Sequence, residues 1–593
     1  MNRRKFCQLI AGAAALPLIP KSSEASEPIP RGFEVPVLDY PAFCAQPENQ
    51  RVFYALRGNR IEPEHLDAKS WRPTAWGDPP ALPIPGGSWD GVPMQAPIHG
   101  LAGNGPYLPT WKSLLQYDCP DWYRDAKFGI WNYWCPQMVP EDGDWYGRYM
   151  YIQNSEQNQY HLLHYGPPSR YGYKELCAQW TMLNWDPEAL MGRYKRAGAK
   201  FFLALANHHD GFDMWNSKYH DWNSVNIGPH RDILGAWAAT ARQHGLRFGV
   251  TVHQHRNWWW FQPSHGADKT GQLAGVPYDG ELTLAHGKGQ WWEGYDPQQL
   301  YGVKHPFDAL PDPSYVKNFY DRTRDVIDQH QPDVLFFDNP LLPLGWAGMN
   351  IAAYYYNRSL NLHGGKMEGV ITIKMVPPHL YKAAVADIEG GIAGEILPYA
   401  WQSETSLGDW LYRLTDFTEH HYKQPREVIH WLVDTVSKNG TFILNIPGRP
   451  DGTLDSTEEA TLDSIGEWLA MNGEAIYDTR PWKVFGEGTH WVKAGTYQGQ
   501  SVHALSAADI RFTQNKAGTQ LYAIALGWPS EAIEVRSLGA DSPTKPGKIT
   551  NVELLGAQEK LTWKQTRHVL HVKIPKTYHP KADYAAALKV TVE

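Results

Sequence analysis

The chain has 593 residues and a net charge of −8, more than one average domain of roughly 150 residues needs, though a barrel domain alone often takes about 250. Its charges are spread without basic blocks, which excludes nucleic acid and anionic membrane as main partners, since both select clustered positive charge. A hydrophobic content of 42% excludes wholesale disorder, and 27 tryptophans lean toward carbohydrate, because indole faces stack on sugar C–H surfaces.

The opening Met1-Asn2-Arg3-Arg4-Lys5-Phe6-Cys7, followed by an apolar run from Ile10 to Ile19, predicts a twin-arginine export signal over residues 1–26. The run is shorter than the ~20 apolar residues that span a bilayer, and Ser23-Glu24-Ala25 offers a small-x-small cleavage site. An exported protein, periplasmic or secreted and without a membrane span, is expected. Once Cys7 leaves with the signal, Cys44, Cys119, Cys135 and Cys177 remain. None stands in a C-x-x-C spacing, so no zinc or redox pair is indicated; disulfides and free thiols both fit.

Residues 27–115, rich in Pro and Gly, read as an irregular extension wrapping the main domain. Lys127 to Trp131 has a short strand pattern. The run Ala199 to Leu205 is continuously apolar, as in a strand buried on both faces of a parallel sheet. Asn207-His208-His209-Asp210-Gly211 then makes a polar loop, a helix starts near Asp232, and Leu246 to Val252 forms the next strand. This βαβ unit recurs: a helix around Val316–Ile327 precedes the strand Val334–Phe337, Val370–Ile373 follows, and a helix near Val428–Val436 leads into Phe442–Asn445. Ser456-x-x-Glu459 predicts a capping box for a helix over 457–471 that stops at Gly473. Such repetition predicts an α/β fold, a (β/α)8-like barrel over 116–482. After Trp482, short alternating strands predict a C-terminal β-sandwich over 483–593.

In a barrel the chemistry sits where strands end at their C-terminal edge. That rule selects His208, His209 and Asp210, then His253 and His255, then Asp338 and Lys374, with Glu389, Glu395 and Glu404 in the polar stretch beyond. Asp338 is the sharpest of these: four apolar residues deliver a carboxylate to the barrel mouth, and Asn339-Pro340 stops the strand at once. A pair of carboxyls cleaves glycosides, one as nucleophile and the other as general acid. Glu404 is the expected partner of Asp338, with Glu389 in reserve. His253-x-His255 would put two imidazoles on one face, but no third ligand stands at a recognised spacing, so no metal is expected. Neutral histidines hydrogen-bonding sugar hydroxyls are the preferred reading.

Several long motifs resemble glycoside hydrolase family 29, the retaining α-L-fucosidases. They are Lys127-Phe128-Gly129-Ile130, Asp144-Trp145-Tyr146-x-Arg148, His208-His209-Asp210-Gly211-Phe212, the Trp215 to Val225 segment, Leu432 to Gly440 and Asn472 to Trp482. The resemblance implies two-step retaining hydrolysis on a barrel with a C-terminal sandwich, without a cofactor and with a fucosylated glycan as partner. It places Asp338 at the family's nucleophile, His208 and His209 at its sugar-binding histidines, and Asp144, Trp145 and Trp215 in the sugar-pocket wall. Aligning Trp401-Gln402 with the family's "WE" puts a glutamine, which cannot act as an acid, in the acid's place; a two-residue offset gives Glu404. Tyr133 stands where "FGIFIHWG" carries a sugar-contacting histidine, and Phe336 replaces a tryptophan. These departures leave an α-L-galactosidase acting on galactans as the alternative specificity. A catalytically silent carbohydrate-binding barrel and a metal-dependent hydrolase are the readings from other classes. Oligomeric state is not legible.

Overall fold

A computed structural model describes residues 90–96, 100–306, 309–376, 378–492, 494–495 and 505–593. The expected export signal, the first part of the extension and Cys44 lie outside the described residues. Eight strands, β1 Phe128–Asn132, β2 Phe201–Asn207, β3 Arg247–Val252, β4 Val334–Pro340, β5 Val370–Lys374, β6 Val385–Glu389, β7 Trp401–Ser406 and β8 Gly440–Asn445, close into a barrel in chain order. Every pair is parallel, the last closing β8 onto β1 through Phe128 opposite Phe442. Core packing explains the apolar runs: every residue of β2 and of β4 is buried.

Six outer helices matter to the argument: α1 Pro187–Arg196, α2 Ile233–Gln243, α3 Pro313–His330, α4 Trp346–Leu362, α5 Pro425–Ser437 and α6 Ser456–Asn472. Asp186, Asp232 and Asp312 cap α1, α2 and α3, each carboxylate accepting from a backbone N–H three residues on. The box expected at Ser456-x-x-Glu459 lies one residue earlier. Asp455 accepts from Thr457 N and Glu458 N, and Glu458 returns a bond to Asp455 N at 2.9 Å. An ionisable carboxylate accepts more strongly than the Ser456 hydroxyl would, which sets the register.

Helix α4 escapes sequence reading because it shows no polar stripe: buried residues lie all round it, from Trp346 to Ser359. The segment before the barrel covers it. Tyr107 N donates to Asn357 Oδ1 at 2.9 Å, Trp346 N donates to Pro93 O at 2.7 Å, and Tyr320 on α3 donates to Leu101 O at 2.7 Å. Strands β6 and β7 are likewise polar in sequence. Glu389 and Glu404, expected in a loop stretch, therefore lie on strands and face each other across the β6–β7 ladder.

Between β3 and α3 the chain makes a long excursion of short helical turns. Asp279 ties it down, accepting from Tyr151 at 2.6 Å and pairing with Lys174 at 3.3 Å. Beyond α6, β9 Thr479–Glu487, β10 Ile510–Asn515, β11 Gln520–Ala525, β13 Ile549–Leu554 and β16 Ala586–Val592 form one antiparallel sheet. Strands β12 Ala532–Val535, β14 Thr562–Gln565 and β15 Leu570–Lys573 form a second, and one apolar core joins the two through residues such as Phe512, Val535, Val572 and Leu588. The C-terminal sheet is fastened to α5 and α6. Arg511 pairs with Asp434, whose other oxygen meets Lys438 at 2.6 Å, and Trp468 donates to Ala585 O at 2.9 Å. Among the described residues no helix is long and apolar enough to cross a membrane, and Cys119, Cys135 and Cys177 are free thiols.

Candidate active site

Four consecutive strands deliver charged side chains to one point at the barrel mouth. The β4–β5 ladder runs in register to Phe337 opposite Ile373, then resumes only at Pro340 opposite Lys374. The irregularity falls on Asp338 and Asn339, the place where a bulge can re-aim a side chain. Asp338 Oδ1 accepts from the Lys374 ammonium, and Lys374 Nζ also lies 2.6 Å from Glu389 Oε2 and 3.5 Å from Glu404 Oε1. One cation from β5 thus joins carboxyls from β4, β6 and β7.

The other Asp338 oxygen, Oδ2, lies 3.4 Å from His209 Nε2 and 3.3 Å from His253 Nδ1. His209 donates from Nδ1 to the His253 carbonyl at 3.1 Å, which leaves Nε2 as the acceptor in its neutral form. His208 is held at Nδ1 by Gln137, and its Nε2 points toward Asp144 Oδ1, 3.9 Å away. Tyr133 OH lies 3.3 Å from His253 Nδ1, and its ring meets His208 edge-on. Trp145 stands edge-on to His209 and to Trp260. Its φ of 65° is a left-handed conformation that a bulky side chain rarely takes, which commonly marks a functional position. Trp410 and Trp131 close the wall beside Tyr133, and Phe336 packs edge-on against Trp131.

Burial decides most of the protonation states. It pushes His208 and His209 well below the usual imidazole range, and lowers His253 too, so all three are neutral near pH 7. Burial alone would raise Asp338, but the Lys374 ammonium, the Arg256 charge and the His253 hydrogen bond hold its carboxyl well below the ordinary value. Glu404 moves the opposite way: burial, with the neighbouring Asp387 adding to it, holds its carboxyl well above the ordinary range. Burial also takes Asp387 up to about 7.

The predicted residues divide accordingly. Tyr133, Asp144, Trp145, His208, His209, His253, Asp338, Glu389 and Glu404 come together. Trp215 does not. It is fully buried, and its indole N–H donates to Asp325 on α3 at 2.9 Å, so it anchors a helix instead of facing a pocket. Glu404, expected as the second carboxylate, has both oxygens shut off from solvent, whereas the Glu389 side chain keeps 13% of its surface open. Lys374 follows Val370-Ile371-Thr372-Ile373 at the end of β5 much as Asp338 follows the apolar run of β4, but a lone strand-end lysine shows no partner in sequence. Gln137, Trp260, Arg256 and Trp410 carried no pattern that separates them from core or loop residues.

The ring nitrogens of His208, His209 and His253 lie close enough together to hold a metal ion, as do the donor atoms of Cys135, His208 and Asp210. Burial raises the Cys135 thiol well above its usual value, so the second group offers no ready thiolate. In the first, His208 and His209 each have one nitrogen engaged by protein, and the remaining ones suit sugar hydroxyls equally well.

Breaking a glycosidic bond needs two carboxyls a short distance apart and a wall that grips a sugar ring, and this barrel mouth supplies both. The fold and the site define a glycoside hydrolase. A family model described as Alpha-L-fucosidase matches residues 96–474, and one described as Alpha-L-fucosidase C-terminal domain matches residues 505–591. The chain belongs to the alpha-L-fucosidase family, glycoside hydrolase family 29. It is 27% identical to human tissue alpha-L-fucosidase over 77% of this chain and 85% of that protein. It is 26% identical to a Branchiostoma floridae alpha-L-fucosidase over 77% of this chain and 89% of that protein. Among solved structures it resembles Thermotoga maritima alpha-fucosidase with a mechanism-based inhibitor, at 26% identity and a TM-score of 0.62 over 82% of this chain and all of that one.

Proposed function

We propose that the chain is an exo-acting retaining α-L-fucosidase in which Asp338 is the nucleophile and Glu389 the acid/base. The single observation that carries the assignment is the shared contact with Lys374. Two carboxyl oxygens that both touch one nitrogen are at most about 5 Å apart, the separation that suits a retaining enzyme and leaves no room for an inverting one. Asp338 Oδ attacks the anomeric carbon while Glu389 gives its proton to the leaving oxygen. Glu389 then takes a proton from water, which adds to the same carbon as the bond to Asp338 breaks. Neutral His208, His209 and His253, with Tyr133 and Asp144, hold the sugar hydroxyls, and Trp145 walls the ring. The mechanism calls on no cofactor. The twin-arginine pattern at Arg3-Arg4 supports an exported enzyme, periplasmic or secreted.

Accessibility favours Glu389 over Glu404 as the acid/base, since a group that activates water must meet water. Glu389→Gln is expected to slow an aryl or glycan fucoside with a poor leaving group by roughly 10²–10⁴-fold. Glu404→Gln, the isostere of a carboxyl that stays protonated, is expected to keep turnover within about tenfold. The reverse ranking in kcat/KM would return the role to Glu404.

The sugar is tested by comparing p-nitrophenyl α-L-fucoside with the α-L-galactoside, with and without EDTA. Faster release from the fucoside, unchanged by EDTA, is the expected result. Galactoside preference would mean that Tyr133 and Phe336 have reshaped the pocket, and EDTA inhibition would assign the histidine trio to a metal.

A further inference from the structure

We propose that Lys374 is a positioning residue that transfers its charge from Asp338 to Glu389 as the glycosyl-enzyme forms, switching Glu389 from acid to base. The inference rests on the reading of Asp338 and Glu389 above. Its ground is the geometry: one partly buried ammonium lies within hydrogen-bond reach of both groups, and a third carboxyl, Glu404, stands 3.5 Å away.

A retaining acid/base must hold a proton in the first step and lack it in the second. In the free enzyme the Lys374 charge is balanced by ionised Asp338. An ammonium N–H also donates, more weakly than to a carboxylate, to the carbonyl oxygen of a protonated carboxyl, so Glu389 Oε2 can accept while the other oxygen keeps its proton. When Asp338 becomes an ester its negative charge is gone. The ammonium then keeps Glu389 and Glu404 as its acidic neighbours and favours the ionised form of Glu389. Water now loses a proton to Glu389, its oxygen bonds to the anomeric carbon, and the electron pair of the broken C–O bond returns to Asp338. The new carboxylate recaptures the Lys374 charge, and Glu389 keeps the proton for the next cycle.

Other groups around these carboxyls do not substitute for the lysine. Asp338 faces His209 from the end of β2 and His253 from the end of β3, both neutral, with the Arg256 charge acting on it and His255 against its backbone. Glu404 faces Asp387, Glu389 and Asp338, all acidic. Among the described residues Lys374 is the cation in hydrogen-bond reach of Asp338 and Glu389 together.

The test separates the two steps in Lys374→Met, Lys374→Gln and Lys374→Arg, using an activated aryl fucoside. For Met and Gln, deglycosylation is expected to fall by at least about 100-fold and by more than glycosylation does. Intact-mass analysis should then find the enzyme carrying one deoxyhexosyl group. Azide, an anion that needs no base, should restore turnover at least tenfold, and the acid limb of kcat/KM should move to higher pH as Asp338 loses its cation. Lys374→Arg, which keeps the charge, should show none of these. Equal slowing of both steps without accumulation or azide rescue would overturn the proposal. So would an arginine variant as impaired in deglycosylation as the methionine one at an unchanged melting temperature. Failure of the underlying reading would look different: Asp338→Asn would itself retain turnover.

Discussion

Asp338→Asn is expected to lower kcat/KM on an α-L-fucoside by roughly 10⁴-fold or more, because removing a covalent nucleophile removes the reaction path and not merely a contact. The substitution keeps the side-chain volume at the end of β4, and the asparagine carbonyl can still accept from Lys374, which retains its 2.6 Å contact with Glu389. Folding should therefore survive, and a thermal melt close to that of the parent is the necessary control. Azide gives a second reading in Asp338→Gly, where an external anion can enter the space the side chain leaves and attack the anomeric carbon directly. Turnover above a tenth of the parent rate would remove Asp338 from the nucleophile's role. It would also leave unexplained why a lysine and two histidines converge on its oxygens.

Asp434→Ala is expected to produce the largest loss of stability, about 3–5 kcal/mol, the cost of breaking a buried ion pair from one side. Asp434, on α5, is fully buried between Lys438 and Arg511, and both cations are themselves buried. Burial would raise its carboxyl, but the Lys438 and Arg511 charges hold it below the ordinary value, so it stays ionised. Without it two desolvated cations, Lys438 just past α5 and Arg511 on β10, face each other beside the rings of Phe485 and Trp491, with Arg511 keeping a bond to Ile510 O. A chain of this size need not unfold in one step, so the measurement is the first transition in calorimetry together with proteolysis of the 479–593 region. Replacing Asp434, Lys438 and Arg511 together by apolar residues should recover much of the loss, because the isolated charges and not the missing bonds carry the cost. A first transition moved by less than about 1 kcal/mol would show that the junction rests on apolar packing alone.

What could be read from sequence follows from what is local. The apolar runs of β2, β3 and β4 are patterned by burial on both faces, so they show their strands, and the barrel rule then points at His208, His209, His253 and Asp338. Strand β7, Trp401–Ser406, hides because five of its six residues are polar although every one is buried: Gln402 bonds Asp387, and Ser403 accepts from Trp431. Trp215 matched a family motif, yet its indole is spent on a helix. The order of Glu404 and Glu389 could not be read either, since adjacent strands present both to the same face and only the packing above them closes one off from water.

By itself the sequence determined the barrel, its carboxylate at the end of β4 and the family's histidine pair, because each is written in a short stretch of chain. The tertiary structure alone decided that Lys374 joins three carboxyls, that Glu389 is open and Glu404 enclosed, and that Trp215 stands outside the site. Those outcomes depend on which strands closure sets side by side and on how much water reaches a side chain, and neither quantity belongs to any single segment.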